Sequence, residues 1–190
     1  MRPRPPAGTN RNVAPLVIAL LLAASPALAQ HYRWDIKTGA DQLAASVRHQ
    51  VATTVDDLNR MVRPPHGATA QGRVFPVEQT VYTLTGKLLM YTRESDGDIH
   101  MVIQDEATEA TLIAEIPDPD RVSEDSPWRE LIGAARETFE GEFIPTSSRR
   151  DGGRRRIALS GVGFWDIRNH GIGASDNGVE IHPVLALSFP

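Results

Sequence analysis

The chain has 190 residues, of which 24 are acidic, 20 are basic and none is cysteine, and its formal net charge is −4. Without cysteine the chain has no disulfide, no thiol nucleophile and no cysteine-ligated metal. The acidic balance disfavours non-specific binding to the phosphate backbone of nucleic acids.

Residues 1–29 are predicted to be a secretory signal peptide. Basic residues precede an apolar run over 13–22, and small residues follow at Ala27 and Ala29. This pattern predicts cleavage between Ala29 and Gln30, and therefore a periplasmic or secreted protein. The alternative, an uncleaved membrane anchor, needs about 20 apolar residues, and this run is shorter. No later stretch is apolar and long enough to cross a bilayer, and without cysteine no lipid anchor is expected.

The remaining chain divides into an N-terminal extension and one larger domain. The extension, residues 30–76, is predicted to contain a short helix within 42–51 and a helical turn over 54–59 that begins at Thr54. From there to the C-terminus, residues 77–190 have the size of one domain and the alternating pattern of β-strands.

Alternating apolar residues predict five strands and one helix in the larger domain. The predicted strands are 81–91, 99–104, 111–116, 156–166 and 179–189. The helix follows the third strand, begins near Ser126 and ends at Gly141. Its predicted apolar stripe consists of Leu131, Ile132, Ala135 and Phe139. The arginine-rich segment 149–156 is interpreted as a solvated loop.

The order strand, strand, strand, helix, strand, strand is that of an OB-fold, a five-stranded Greek-key β-barrel. We therefore predict a mainly β, OB-like barrel. The first strand is expected to place Met90 on its core face and to bend near Gly86. Another α+β arrangement with the same element order is the alternative.

The two loops that usually carry OB-fold ligands are rich in polar residues in this sequence. They join strands one and two and strands four and five. Glu180 and His182 are two residues apart on a strand, so we expect both to point outward on the same face. The candidate ligand-binding residues are Asp96, Asp98, His100, His170, Asn177, Glu180 and His182.

Three interpretations of these polar residues remain open. They are the Asp, Asn and Gly residues that ordinary turns require, or the rim of a ligand site, or a metal site. The metal site would use Asp96, Asp98, Glu180 and His182, and its oxygen-rich ligands favour calcium or magnesium. The sequence has no metalloprotease helix motif, nucleophile elbow or phosphate-binding loop, which favours a protein without catalytic activity.

Two regions resemble a group of small exported bacterial proteins of unassigned function. The first runs through 95–103 and 113–117. The second runs through 161–166, 170–171 and 177–184, and its last part reads Asn-Gly-Val-Glu-Ile-His-Pro-Val. The resemblance covers about residues 54–189, and the last run is its most specific part. It implies a recurring OB-like domain without an assigned activity.

A more distant resemblance is to staphylococcal-nuclease-like domains, which are also OB barrels. The Asp-Gly-Asp turn at 96–98 matches that family, although Ile99 stands where the family has threonine, and Pro-Asp-Pro-Asp at 117–120 is loosely similar to its second motif. The resemblance implies that Asp96 and Asp98 are metal ligands. That family uses arginines to stabilise charge on the phosphate, and residues 94–120 contain no arginine.

These observations favour an exported OB-like binding module with a polar ligand or an envelope protein as its partner. The first alternative is a metal-dependent phosphodiesterase, in which carboxylates hold the cation and an activated water attacks phosphorus. The second is a structural envelope protein whose residues 30–76 dock a partner.

Overall fold

The computed structural model describes residues 32–168 and 171–190, together with Met1. The predicted signal-peptide cleavage site and His170 lie outside the described residues. No helix in the described part of the chain is long and apolar enough to cross a membrane.

Six strands form one mixed sheet, five of which close into a ring. The strands are β1 (His49–Ala52), β2 (Thr80–Arg93), β3 (Ile99–Gln104), β4 (Thr111–Ile116), β5 (Arg150–Trp165) and β6 (Val179–Ser188). Their order is β1-β2-β3-β4-β6-β5, and β5 pairs again with β2, so β2 to β6 form a closed ring. The pairs β1–β2 and β4–β6 are parallel, and the other pairs are antiparallel. The predicted mainly β class is confirmed.

Within the described residues, three α-helices accompany the sheet: α1 (Trp34–Thr38), α2 (Val55–Asn59) and α3 (Arg129–Glu140). Helix α2 matches the predicted turn, because the Thr54 hydroxyl accepts a hydrogen bond from the Asp57 amide at 3.0 Å. Helix α3 lies between β4 and β5 as predicted, but it begins at Arg129. The Ser126 hydroxyl instead accepts a hydrogen bond from the Trp128 amide in the turn before the helix.

The predicted helix within 42–51 was wrong. This segment contains one 3-10 turn, Ala44–Ser46, and the first residues of β1. The reason is an open edge: β3 pairs with β2 only from Lys87 onward, so the first residues of β2 have free hydrogen-bonding groups on that side. Strand β1 pairs there in parallel, with His49 opposite Thr80.

The arginine-rich segment 149–156, interpreted as a loop, is largely strand. Strand β5 begins at Arg150 and pairs with the far end of β2, where Asp151 lies opposite Met90. The long β2 needs a partner along its whole length, and these residues supply its backbone hydrogen bonds. Their side chains form exposed ion pairs such as Arg156–Glu106 at 2.6 Å.

A bulge in β2 changes which side chains face the core. The register against both neighbouring strands shifts between Leu88 and Met90, so Tyr91 is buried and Met90 is not, contrary to expectation. At Gly86, where a bend was expected, the backbones of β2 and β3 approach each other closely. A Cβ atom on residue 86 would lie 2.6 Å from the carbonyl oxygen of Gln104.

The outer face of the ring is covered as well as its interior. Ile36, Val102, Ile113 and Phe164 are buried but lie outside the main hydrophobic cluster. Helix α1 covers one part of this outer face, and the segment before β6 covers another, where Gly173 approaches Val102. Helix α1 is fixed by Arg33, whose guanidinium donates to both carboxylate oxygens of Glu78 at 2.7 and 2.6 Å. This cover buries side chains of β6 that were expected to face outward.

Candidate functional site

A cluster of ionisable side chains lies where the outer face of β3, β4 and β6 meets α1. We call it the outer-face cluster; its members are Lys37, Glu94, Asp98, His100, Glu115, Glu180 and His182. Strand pairing assembles it, because His100 lies directly opposite Glu115 and the pairing of β4 with β6 brings Glu180 alongside.

Glu115 is the centre of the outer-face cluster. Its Oε1 lies 2.9 Å from Nδ1 of His100, and its Oε2 lies 2.8 Å from Nδ1 of His182. Burial acts to raise the pKa of Glu115, but the two histidines and the Lys37 ammonium outweigh it and hold that pKa well below its ordinary value. Glu115 is therefore a buried, ionised carboxylate.

His182 lies between two carboxyl groups and has no exposed side-chain surface. Its Nε2 is 3.7 Å from Oδ2 of Asp98, and Glu115 lies off the N–H direction despite the short distance. Neither ring nitrogen therefore makes a hydrogen bond within the described residues. Burial and the Lys37 charge lower the pKa of His182, although Glu115 opposes this. The imidazole is neutral and keeps a free lone pair.

Two other carboxyl groups of the cluster have raised pKa values. Burial, Glu115 and Asp96 raise the pKa of Asp98 to about 8, although a hydrogen bond from the Asp118 amide and the Lys37 charge oppose the shift. Burial, together with neighbouring acids, raises the pKa of Glu180 well above its usual range. The Oε2 atom of Glu180 has no hydrogen-bond partner among the described residues.

Lys37 supplies a buried positive charge to the cluster. Burial alone would lower the pKa of its ammonium, but four carboxyl groups raise it above the ordinary value. Those four groups are Glu115, Asp166, Glu180 and Asp98. One buried ammonium thus interacts with four acids.

A cleft of about 220 Å³ opens beside the cluster at His100. Its walls come from β2, β3, β4 and the segments before β5 and β6, and its lining residues are Met90, Thr92, Glu94, His100, Ile113, Arg149, Gly171 and Ile172. His100 connects the cleft to the interior, since its Nδ1 lies 3.4 Å from Glu94 and 2.9 Å from Glu115. Burial acts to lower the pKa of His100, but these two acids raise it on balance.

The structure brings together four of the seven residues selected from sequence: Asp98, His100, Glu180 and His182. The last two share a face as expected, but they are buried, with 4% and 1% of their surface exposed, because α1 covers that face. Asp96 is not part of the cluster. It belongs to the turn between β2 and β3, where its Oδ1 accepts a hydrogen bond from the Asp98 amide at 3.2 Å. His170 lies outside the described residues.

Asn177 holds the N-terminal part of the chain. Its side-chain amide donates to the carbonyl oxygens of Leu58 at 2.9 Å and Met61 at 3.1 Å, and its Oδ1 accepts the Val179 amide. With these polar atoms engaged, the side chain fixes the segment after α2 to the start of β6.

Three members of the cluster were missed from sequence: Lys37, Glu94 and Glu115. Glu115 could have been found, because the hairpin of β3 and β4 pairs it with His100. No comparable signal exists for Lys37, since nothing local shows where α1 docks.

Two groups within the cluster have the geometry of metal ligands. One is Asp98, Glu115 and His182, and the other is Glu94, His100 and Glu115; in each, one donor atom per residue lies within 4.8 Å of the others. The first group is fully buried, and the second reaches the cleft. The same side chains could equally hydrogen-bond a polar ligand.

No protein-family model matches the chain, and no curated protein sequence matches it. Among solved structures, the chain is similar to the Entamoeba histolytica asparaginyl-tRNA synthetase at 11% sequence identity and a TM-score of 0.36. The match covers 69% of this chain and 23% of the synthetase, so the chain spans less than a quarter of that protein. This similarity is too weak to support an argument about function.

Proposed function

We propose that the chain is an exported binding module with an OB-type barrel, which holds a small polar ligand in the cleft at His100 and performs no chemical step. The strand order supports the barrel: β2-β3-β4-β6-β5 closes on β2, and α3 lies between the third and fourth strands of the ring. Export rests on the signal-peptide pattern of residues 1–29.

The position and lining of the cleft carry the proposal. OB barrels bind ligands over their second and third strands and the loops beside them, which here correspond to β3, β4 and the segments around Glu94 and Ile172. The walls combine Glu94, His100 and Arg149 with the apolar side chain of Met90. A few convergent polar groups on an apolar wall are typical of small-molecule sites.

The size of the cleft limits the ligand. At about 220 Å³ it is smaller than the roughly 300–1,000 Å³ of pockets for drug-sized molecules. It suits one amino acid, one monosaccharide or a group of similar size on a longer molecule. An acid, an imidazole and a guanidinium on its walls favour a ligand with both positive and negative or strongly polar groups.

The other two functions have weaker support. In the turn that resembles nuclease-like domains, Oδ1 of Asp98 accepts the Asp118 amide, and the side chain is buried away from the cleft. A role for residues 30–76 in docking a partner competes with their packing, because Ile36, Val55 and Leu58 are buried in this chain.

Thermal unfolding of the purified protein with panels of amino acids, monosaccharides and mononucleotides tests the binding function. A ligand at a hundred times its dissociation constant stabilises the folded state by about 2.7 kcal/mol and raises the midpoint. We expect Arg149→Ala and His100→Gln to abolish the shift. His49→Gln, which changes an exposed histidine of β1, should retain it. No shift with any panel, or a shift unaffected by both cleft variants, would contradict the proposal.

A further inference from the structure

We infer that Asp98, Glu115 and His182 form a binding site for one divalent transition-metal ion of the zinc type, buried behind the cleft. This site is distinct from the proposed ligand cleft, because none of its three donor residues lines the cleft. The inference does not depend on which ligand the cleft holds.

The spacing of the three donors fits a shared ion. One donor atom from each residue lies within 4.8 Å of the other two. The 3.7 Å between Nε2 of His182 and Oδ2 of Asp98 is too long for a hydrogen bond. It is close to the separation of about 3.3 Å between two ligands that are each about 2.0–2.1 Å from a tetrahedral zinc ion.

The unpartnered imidazole of His182 is a second, independent observation. Its side chain has no exposed surface, and neither ring nitrogen makes a hydrogen bond within the described residues. Buried polar groups almost always have partners, so this histidine requires an explanation. An ion held between the ring and the carboxylates would take the lone pair of one nitrogen and give that atom a partner.

A neighbouring side chain orients one of the three donors. Nδ1 of His100 lies 2.9 Å from Oε1 of Glu115, as the groups behind metal ligands commonly do.

The donor set selects the metal. Calcium takes six to eight oxygen ligands, whereas one imidazole with two carboxylates suits zinc and related first-row dications. This differs from the calcium or magnesium site expected from sequence, which included Asp96. Asp96 is already used by the turn, where it accepts the Asp98 amide.

Equilibrium dialysis of the purified, EDTA-treated protein against Zn²⁺ tests the inference, with Co²⁺ absorption as a probe of the ligands. We expect one equivalent of Zn²⁺ and a cobalt spectrum typical of nitrogen and oxygen donors. Asp98→Asn and Glu115→Gln keep the side-chain shapes and should each weaken Zn²⁺ binding at least 100-fold. Two controls, His49→Gln and Glu142→Gln, change an exposed histidine and an exposed carboxylate and should bind as the unchanged protein does.

Circular dichroism and the unfolding midpoint, both measured without metal, show which variants fold. Two ligand variants are used so that the result does not depend on a single protein that misfolds. No Zn²⁺ above the buffer blank, or unchanged affinity in a folded Asp98→Asn or Glu115→Gln protein, would overturn the inference. Preferential binding of Ca²⁺ or Mg²⁺ would also overturn it. Because the assay uses the metal alone, failure of the cleft to bind its ligand leaves this result unaffected.

Discussion

Two histidines beside the same carboxylate have pKa values displaced in opposite directions. Burial opposes the charged form of both His100 and His182, and Glu115 favours it in both. The pKa of His100 is also raised by Glu94, whereas Lys37 adds to the burial effect at His182. Surroundings, rather than residue type, thus set the direction in which each pKa moves. The imidazole at the cleft is therefore the more readily protonated of the two, and the imidazole inside is the less readily protonated.

Asp98→Asn is expected to flatten the pH dependence of stability. The pKa of Asp98 is about 8 in the folded protein, whereas an unfolded aspartate titrates near about 3.9. The folded state therefore holds a proton that the unfolded state has lost, and the free energy of unfolding falls as pH rises from about 4 to 8. The contribution of this one group is at most about 1.4 kcal/mol per pH unit.

Urea denaturation at pH 5 to 8, with EDTA present, measures the difference. The asparagine variant lacks this titration, so its free energy of unfolding should decline less steeply than that of the unchanged protein. Equal slopes for the two proteins would show that Asp98 is ionised in the folded state. The comparison also separates Asp98 from Glu94, Glu180 and His100, whose raised pKa values act in the same direction in both proteins.

Among the elements, helix α3 closes one end of the ring with an aromatic cluster. Phe139 is fully buried, and its ring centroid lies 5.3 Å from that of Tyr91 and 5.2 Å from that of Phe143. The bulge in β2 makes this possible, because it turns Tyr91 toward the helix. A strand without the bulge would present Met90 there, as the simple alternation predicts.

Phe139→Ala should therefore lower the free energy of unfolding by about 3–5 kcal/mol, the usual cost of removing a buried phenylalanine ring. Leu131→Ala on the same helix is the matched control. Leu131 is 47% exposed, so its removal should change stability by less than about 1 kcal/mol. Urea denaturation of both variants gives the two values. Similar losses of stability in the two variants would contradict the observed exposure of Leu131. They would support the apolar stripe predicted from sequence, which included Leu131.

Elements with a strong local pattern were predictable from sequence. Strands β3, β4 and β6 alternate clearly and lie within a residue of their expected bounds, and α3 occurs in the predicted interval. The segments that were predicted wrongly owe their structure to pairing with strands that are distant in sequence. Strand β1 exists because β2 has a free edge, and the arginines of β5 are strand because the other end of β2 needs pairing.

The candidate site, like the fold, was predictable from sequence only in part. Turn chemistry and strand parity identified Asp98, His100, Glu180 and His182, because both follow from nearby sequence. Their burial could not be derived, since it depends on where α1 docks, and Lys37 belongs to the site only through that docking. The polar outer face of β6 had the pattern of an exposed strand although another part of the chain covers it.

Over the whole molecule, the N-terminal segment and the ring are tied by a buried ion pair as well as by apolar packing. The side chains of Arg33 and Glu78 are 6% and 0% exposed, and Glu78 also accepts the amides of Val74 and Trp165. One carboxylate thus joins α1, the segment before β2 and the end of β5. Removing one partner of a buried pair leaves an uncompensated charge, which is strongly destabilising.

Residues 77–190, the domain predicted from sequence, should consequently not fold stably without residues 30–76. Their removal would uncover the surfaces against which Ile36, Val55 and Leu58 are buried, and each such side chain contributes about 1.5–3 kcal/mol. The total, about 5 kcal/mol or more, is comparable with the whole stability of a typical domain. Glu78 would also lose Arg33, and the outer-face cluster would lose Lys37.

Urea denaturation followed by near-ultraviolet circular dichroism compares residues 77–190 with the full chain. We expect the shortened chain to lack a cooperative transition, or to unfold at a much lower urea concentration. A cooperative transition at the same midpoint would show that the ring folds alone and that residues 30–76 are an appendage, free to dock elsewhere. The expected loss of cooperativity would instead mean that the N-terminal segment is needed to form the outer-face cluster, because the buried environment of His182 exists only when α1 covers it.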